Sequence, residues 1–389
     1  MKINRLSLIW QVLIAITIAI PLGMYVAPVW LVRVFNVFNA VFSQVISFIV
    51  PLLVLSLVTP AITETKNGAG KMLILTLAIA YASTVIVAFI SYFSSNALFP
   101  LFVHPFDSEI PLVDKSAFIP SVVVKFPPFM DVMSALLLSF IVGLCCLKLN
   151  ATTVTNFFLE FRDIVMMTIS KAIVPLLPIY VFGNFLYMSK TGEIAAIGRN
   201  FVGVIAFIIV LSIVWLLVQY SIAGLIAKRN PFKMIKVMFP AFVTALASAS
   251  SAATLPVSLA QAHKMNVKNN VADFVIPMCA NIHLSGASLR TLALAVAVMI
   301  IYNVPFDITM FTTFIFVFSI TVVAAPGIPG GVIMSSIGLL TSILGFTEPM
   351  LAIIVPLSIA LDNIGTAVNV TGDGAVMVIV DKLMDKKQE

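Results

Sequence analysis

Residues 349–380 read PMLAIIVPLSIALDNIGTAVNVTGDGAVMVIV, an apolar run whose middle carries Asp362, Asn363, Thr366, Asn369, Thr371 and Asp373. A membrane-spanning helix needs roughly 20 apolar residues, and this run is long enough. Asp362, Thr366, Asn369 and Asp373 fall at i, i+4, i+7 and i+11, so a helix places two carboxylates, an amide and a hydroxyl on one stripe. Each ionised carboxylate at that depth costs at least ~2.5 kcal/mol on insertion scales and calls for a cationic partner. Lys171 and Arg290 are the fixed cations on offer. Mobile partners such as Na⁺, H⁺ or a substrate ammonium suit a transport protein better. The alternative for the stripe is a structural salt bridge or a protonated packing Asp.

Outward from this run the chain keeps the same character. Of its 389 residues 61% are hydrophobic and 10% charged, and the mean hydropathy is +1.14. No water-soluble core requires that, so the bilayer is the main solvent. A chain of this length holds about eight spans and their connections in one membrane domain. The formal charge of +6 does not imply nucleic acid, because Lys and Arg sit in short clusters between apolar runs and read as topology signals. Three cysteines, the adjacent Cys145 and Cys146 and the distant Cys279, give neither a disulfide framework nor a metal-ligand spacing.

Six ordinary spans are expected near residues 6–26, 35–63, 72–93, 131–149, 163–188 and 194–226. The first is too long for the apolar core of a secretory leader and lacks a small-residue cleavage site, so it reads as a retained span. Lys2 and Arg5, Lys66 and Lys71, Lys148 and Arg162, and Lys228, Arg229, Lys233 and Lys236 all fall on one face. That face is cytoplasmic by the positive-inside rule and takes both termini. The Pro-rich segment 96–125, with Asp107, Glu109 and Asp114, lies outside.

From Pro231 onward the apolar runs are broken at their midpoints by small and polar residues. Residues 241–256, AFVTALASASSAATLP, suit a re-entrant hairpin with its tip at 248–254. A span at 271–301 is interrupted by Asn281, His283, Ser285 and Gly286, and a second hairpin at 310–344 has its tip at AAPGIPGG, residues 324–331. Hairpin and broken helix followed by hairpin and polar helix form a weak internal repeat, entering from opposite sides as inverted repeats do. Unwound backbone at mid-membrane is tolerated where it lines a cavity or binds a ligand, which places the site here. Packing helices kinked by small residues are the plainer alternative.

LDNIGTAVNVTGD at 361–373, SASSAATLP at 248–256 and GIPGG at 327–331 resemble the glutamate transporter family, the dicarboxylate/amino acid:cation symporters, over essentially the whole chain. The NVTGD run seven residues after an Asp is the specific element. The resemblance implies an all-α membrane protein of eight transmembrane helices and two re-entrant helical hairpins, built from inverted repeats and working as an elevator-type homotrimer. Residues 1–70 and 116–193 would be scaffold. Residues 71–95 and 194–389 would form the transport part, with hairpin 1 at 233–264, span 7 at 270–302, hairpin 2 at 310–344 and span 8 at 349–381.

The same resemblance gives Asp362 the substrate ammonium and Asn369 its carboxylate, with Thr366 alongside. Ser250 and Ser251 of the first hairpin add contacts, and Gly327, Ile328, Pro329 and Gly330 form the lid of the second. Asp373, with the carbonyls of Asn369 and His283, matches one sodium site, while Tyr81 and Thr84 match a contribution to another. No covalent cofactor is implied. The coupling cation is Na⁺, with H⁺ as the alternative, and the partners are a small-molecule substrate and the lipid bilayer of a bacterial-type inner membrane.

Two departures bear on substrate and coupling. Gly365 stands where members for acidic substrates have an Arg that clamps the side-chain carboxylate, and no glycine replaces that contact. Small neutral amino acids, as in the serine/threonine branch, are therefore expected. A dicarboxylate or acidic amino acid is the alternative if the basic anchor has moved to Arg290. In NIHLSGA, residues 281–287, His283, Ser285 and Ala287 stand at the family's Asn, Asp and Thr positions, which removes a charge from one sodium site. His283 then either carries a proton or contributes its carbonyl while its ring packs beside Ser285 or Thr84. His104 and His263 read as surface residues. An enzyme would need a nucleophile with a base or a metal cluster, which no motif supplies. A channel is closer physically, but occluding hairpin tips favour alternating access.

Overall fold

The computed structural model describes residues 8–63, 70–105, 127, 129–130, 132–323 and 330–385. Helices make up nearly all of it, and no strand occurs among the described residues. Helix α1, Leu8–Pro21, runs into a π-turn at Leu22–Val26, and α2, Val29–Thr63, starts six residues before the expected Phe35. Then follow α3, Gly70–Leu98, and α4, Val132–Leu149. The fifth span starts earlier than expected. Its parts are α5, Thr152–Thr168, a π-turn at Ile169–Ile173, and α6, Val174–Lys190. Pro175 and Pro178 withhold backbone donors there, and the pair bends by 48°.

Helix α7, Glu193–Ala227, ends on Lys228 in the left-handed region (φ 53°). Asn230 then caps α8, Pro231–Ser248, accepting from the backbone N–H of Phe232 and Lys233, with Pro231 at the first helical position where no donor is needed. After α8 the chain turns at Ala249 and Ser250 and returns as α9, Ser251–Ala262, packed against α8. This is the first hairpin, with a tighter tip than residues 248–254. Helices α10, Asn269–Ile282, and α11, Ser285–Ile301, form the broken span, interrupted at His283 and Leu284 as expected.

Helices α12, Ile308–Val323, and α13, Gly331–Ser342, pack together as the second pair. Residues 324–329, which include Gly327, Ile328 and Pro329, lie outside the described residues. The last span differs from its reading as one continuous helix. It is divided at Leu361 into α14, Glu348–Ala360, and α15, Asp362–Asp385. By length and composition five described helical stretches suffice to cross a membrane, or six with the bent pair counted as one, against the eight expected.

Helix α2 packs on α4, α5 and α6, and α1 packs on α6. Helix α15 contacts α7, α8, α10 and α11, and α3 lies against α11 and α12. Burial separates centre from rim. Within the apolar 18-residue core of Asn269–Ile301 94% of residues are buried and within that of Asp362–Met384 89%, against 28% within that of Met72–Leu101. The broken span and α15 are thus enclosed by protein, where polar side chains and unwound backbone find partners.

Candidate functional site

The start of α15 gathers elements from both hairpins. The break at Leu361 places Asp362 and Asn363 in the first turn, where unpaired backbone N–H groups favour a carboxylate. Asn363 Nδ2 donates to Leu246 O near the end of α8, 2.8 Å away. Gly330, which begins α13, donates its backbone N–H to Asp362 Oδ2 at 2.9 Å. It adopts φ 76°, a conformation that favours glycine, and a Cβ there would lie 3.3 Å from Ile359 Cγ1. At the other tip, Ser250 O accepts from Thr254 N and Oγ1, Ser250 N–H donates to Ser248 Oγ, and Ser251 is buried at the start of α9.

Arg290 supplies the fixed cation beside Asp362. It lies on α11, and it heads the largest fully buried side chains among the described residues. Its Nη1 donates to Asp362 Oδ1 at 2.9 Å. A Cβ built on Gly365 would come within 3.0 Å of Nη1 and 3.5 Å of the Ala287 backbone. The absent side chain at 365 is therefore the space through which the guanidinium arrives. Gly286 has the matching role on α11, since a Cβ there would fall 2.5 Å from Gly365 O and 2.6 Å from Val368 Cβ. Arg290 Nε and Nη2 are buried with no hydrogen-bond partner among the described residues. A half-satisfied buried guanidinium is costly, and its remaining edge has the planar fork that suits a carboxylate. Of the two fixed cations the sequence offers, Arg290 is the one that meets Asp362.

The stripe continues down α15, where Thr366, Asn369 and Asp373 are all buried. Asn369 Oδ1 accepts from the N–H of Gly286 at 2.7 Å and of Ala287 at 3.4 Å. The amide thereby satisfies donors at the start of α11, as a capping side chain would, and fixes the second half of the broken span.

One turn further, Asp373 meets the His283 ring. Asp373 Oδ1 lies 2.9 Å from His283 Nδ1, and both side chains are buried. The imidazole Nε2 lies 2.9 Å from Ser83 Oγ on α3 and 3.3 Å from Gln219 Nε2 on α7. Gln219 Nε2 also donates to Ser83 Oγ at 3.0 Å and reaches Ser285 Oγ at 3.5 Å. A Cβ on Gly372 would fall 2.7 Å from Gln219 Oε1 and 2.9 Å from His283 Cε1, so a side chain there would push on the cluster where it meets α15.

Ser83 and Gln219 escaped the sequence reading. Gln219 is the amide in an otherwise apolar run, a signal of the kind already used at Asn281 and His283. Tyr81 is half-buried on α3, while Thr84 Oγ1 donates back to Ala80 O in its own helix. Among the described residues no group of three or more His, Cys, Asp and Glu is placed to hold a metal ion. Of the other histidines, His263 pairs with Asp273 at 2.8 Å on an exposed face, and His104 joins its backbone N–H and O to the Asn200 side chain.

The site therefore has two charged centres on one face of α15. Asp362 faces Arg290 with an unsaturated guanidinium edge, and Asp373 faces an imidazole. The upper centre suits binding of a carboxylate with a cationic group beside it.

The profile of the sodium:dicarboxylate symporter family matches residues 8–383. Excitatory amino acid transporter 4 of Mus musculus is 28% identical over 166 residues, 42% of this chain and 29% of that protein. Excitatory amino acid transporter 3 of Oryctolagus cuniculus is 30% identical over 194 residues, 50% of this chain and 36% of that protein. An excitatory amino acid transporter of Caenorhabditis elegans is 26% identical over 263 residues, 64% of this chain and 50% of that protein. The matched stretches thus span half or less of each of these relatives.

Proposed function

The chain belongs to the sodium:dicarboxylate symporter family, and from that premise we propose that it is a secondary active, sodium-coupled symporter of a substrate with two carboxylates, an acidic amino acid or a dicarboxylate. The observation that carries this reading is Arg290. Its guanidinium fills the space above Gly365, pairs with Asp362 through Nη1, and leaves Nε and Nη2 without partners among the described residues. A bidentate carboxylate is the ligand that suits that edge. This displaces the expectation of small neutral amino acids, which rested on Gly365 alone. The relatives are named for excitatory amino acids, a class with a side-chain carboxylate, which supports the same choice.

Partner exchange at Asp362 gives the binding step. Before binding, Asp362 neutralises Arg290. An acidic amino acid would offer its second carboxylate to the guanidinium and its ammonium to Asp362, so that each buried charge keeps a partner. A dicarboxylate without an amine would take only the guanidinium. Ser250, Ser251, Thr366, Asn369 and the tip at Gly327, Ile328, Pro329 and Gly330 would complete the substrate site. The cation sites implied by Asp373, Asn369, His283, Ser285, Tyr81 and Thr84 remain part of the proposal, with the exception argued below.

The wider architecture is proposed on the family membership. It comprises eight spans and two re-entrant hairpins in inverted repeats, within a homotrimer of a bacterial-type inner membrane with both termini cytoplasmic. The scaffold would be residues 1–70 and 116–193, and an elevator-like transport part residues 71–95 and 194–389. Uptake by purified protein in liposomes under an imposed Na⁺ gradient tests the reading, with aspartate, glutamate, succinate, serine and alanine as labelled substrates. Saturable uptake of an acid, with serine and alanine excluded, is expected. Uptake of the neutral amino acids alone would overturn it.

A further inference from the structure

We propose that the His283 imidazole closes the cation position beside Asp373, so that this carboxylate is balanced from within the protein and holds no exchangeable sodium ion. The consequence for coupling rests on the symporter reading above, whereas the closure itself does not.

A carboxylate buried in the middle of a spanning helix needs a cation or strong hydrogen-bond donors. Asp373 is 1% exposed, and the donor facing its Oδ1 is His283 Nδ1 at 2.9 Å. The ring is held at its far edge as well, by Ser83 Oγ at 2.9 Å and Gln219 Nε2 at 3.3 Å, and is itself fully buried. Its position is fixed by contacts from three helices, α3, α7 and α15. The absent side chain of Gly372 leaves room for the ring and for Gln219 against α15.

Sodium is a hard cation that wants a shell of oxygens. The atom set against the carboxylate here is a nitrogen, the imidazole Nδ1, with the Gln219 side-chain amide behind it. Three side-chain oxygens of the expected cation sites are engaged elsewhere. Asn369 Oδ1 accepts from Gly286 and Ala287, Thr84 Oγ1 donates to its own helix, and Ser285 Oγ lies toward Gln219. A sodium ion at Asp373 would have to displace the ring and break contacts on three helices. His283 thereby becomes a residue that determines coupling specificity. Transport would use one sodium ion fewer than a protein with a small amide at this position, and the remaining dependence would come from other ligands.

His283→Asn tests this. The substitution removes the ring, leaves an amide of ligand type, and opens the space beside Asp373. The slope of log substrate affinity against log sodium activity, measured by equilibrium binding, should steepen by about one ion relative to the unmodified protein. An unchanged slope in a folded variant overturns the proposal. A second measurement uses the unmodified sequence, with histidine labelled in nitrogen-15 and its Nδ1 resonance followed by NMR. His104→Gln and His263→Gln variants provide the assignment. Sodium titration should leave the His283 resonance and its hydrogen bond to Asp373 in place, and loss of that hydrogen bond on adding sodium overturns the proposal. The NMR result needs no transport, so it stands or falls separately from the substrate reading.

Discussion

Moving the guanidinium from one helix to another gives the sharpest test of the upper site. Arg290→Ala removes the fork that would take the second carboxylate. Two charge-assisted hydrogen bonds at about 1.5–3 kcal/mol each amount to about 3–6 kcal/mol, or roughly 10²–10⁴ in acid affinity. The same change leaves Asp362 buried without its cation, which costs folding stability by about 3–5 kcal/mol. Arg290→Gln with Asp362→Asn keeps the volume and removes both charges, so it should recover the thermal stability in detergent but not the binding. Arg290→Ala with Gly365→Arg returns a cation to the same space from α15, because the Gly365 Cβ position is 3.0 Å from where Nη1 now sits. Gly365→Arg alone sets two guanidinium groups together and should abolish binding. The assay is equilibrium binding of labelled aspartate and succinate by scintillation proximity, with thermal stability measured in parallel. Acid affinity in Arg290→Ala within about threefold of the starting protein, less than 1 kcal/mol, would refute the assignment.

Three further outcomes follow from the geometry. Asn369→Ala removes the acceptor for Gly286 and Ala287, so stability should fall by about 1–2 kcal/mol, the cost of a lost cap. Asn369→Asp keeps an acceptor but buries a further carboxylate, so it should not recover the loss in the same melting assay. Gly286→Ala places a Cβ 2.5 Å from Gly365 O and should separate α11 from α15, costing about 1–3 kcal/mol and lowering acid affinity through misplacement of Arg290. Tyr220→Phe removes the hydroxyl that donates to Thr371 O at 2.6 Å, and a melting experiment should show a loss of about 0.5–1.5 kcal/mol.

Much of the architecture was legible because apolar length and helical spacing are local properties. The stripe Asp362, Thr366, Asn369 and Asp373 lies on one unbroken helix, and the interruption at His283 falls where polar residues enter an apolar run. The first hairpin was readable from small residues between two apolar arms. The division of the last span at Leu361 was not, because IALDN reads as ordinary helix and the break is sustained by bonds from the α8 and α13 ends, made by remote segments.

Sequence by itself determined the solvent of this protein, the helical character of its apolar runs and the face of α15 that bears charge, since each depends on neighbours within a few turns. Tertiary structure alone decided what those charges meet. Arg290 and Gly365 are 75 residues apart in the numbering, and Ser83, Gln219, His283 and Asp373 come from α3, α7, the break after α10, and α15. Their pairing depends on two close helix approaches, at Gly286 against Gly365 and at Gly372 against Gln219 and His283. A glycine in a sequence does not say which group will use the space it leaves. It acquires a function only when another helix delivers a group into the space it leaves.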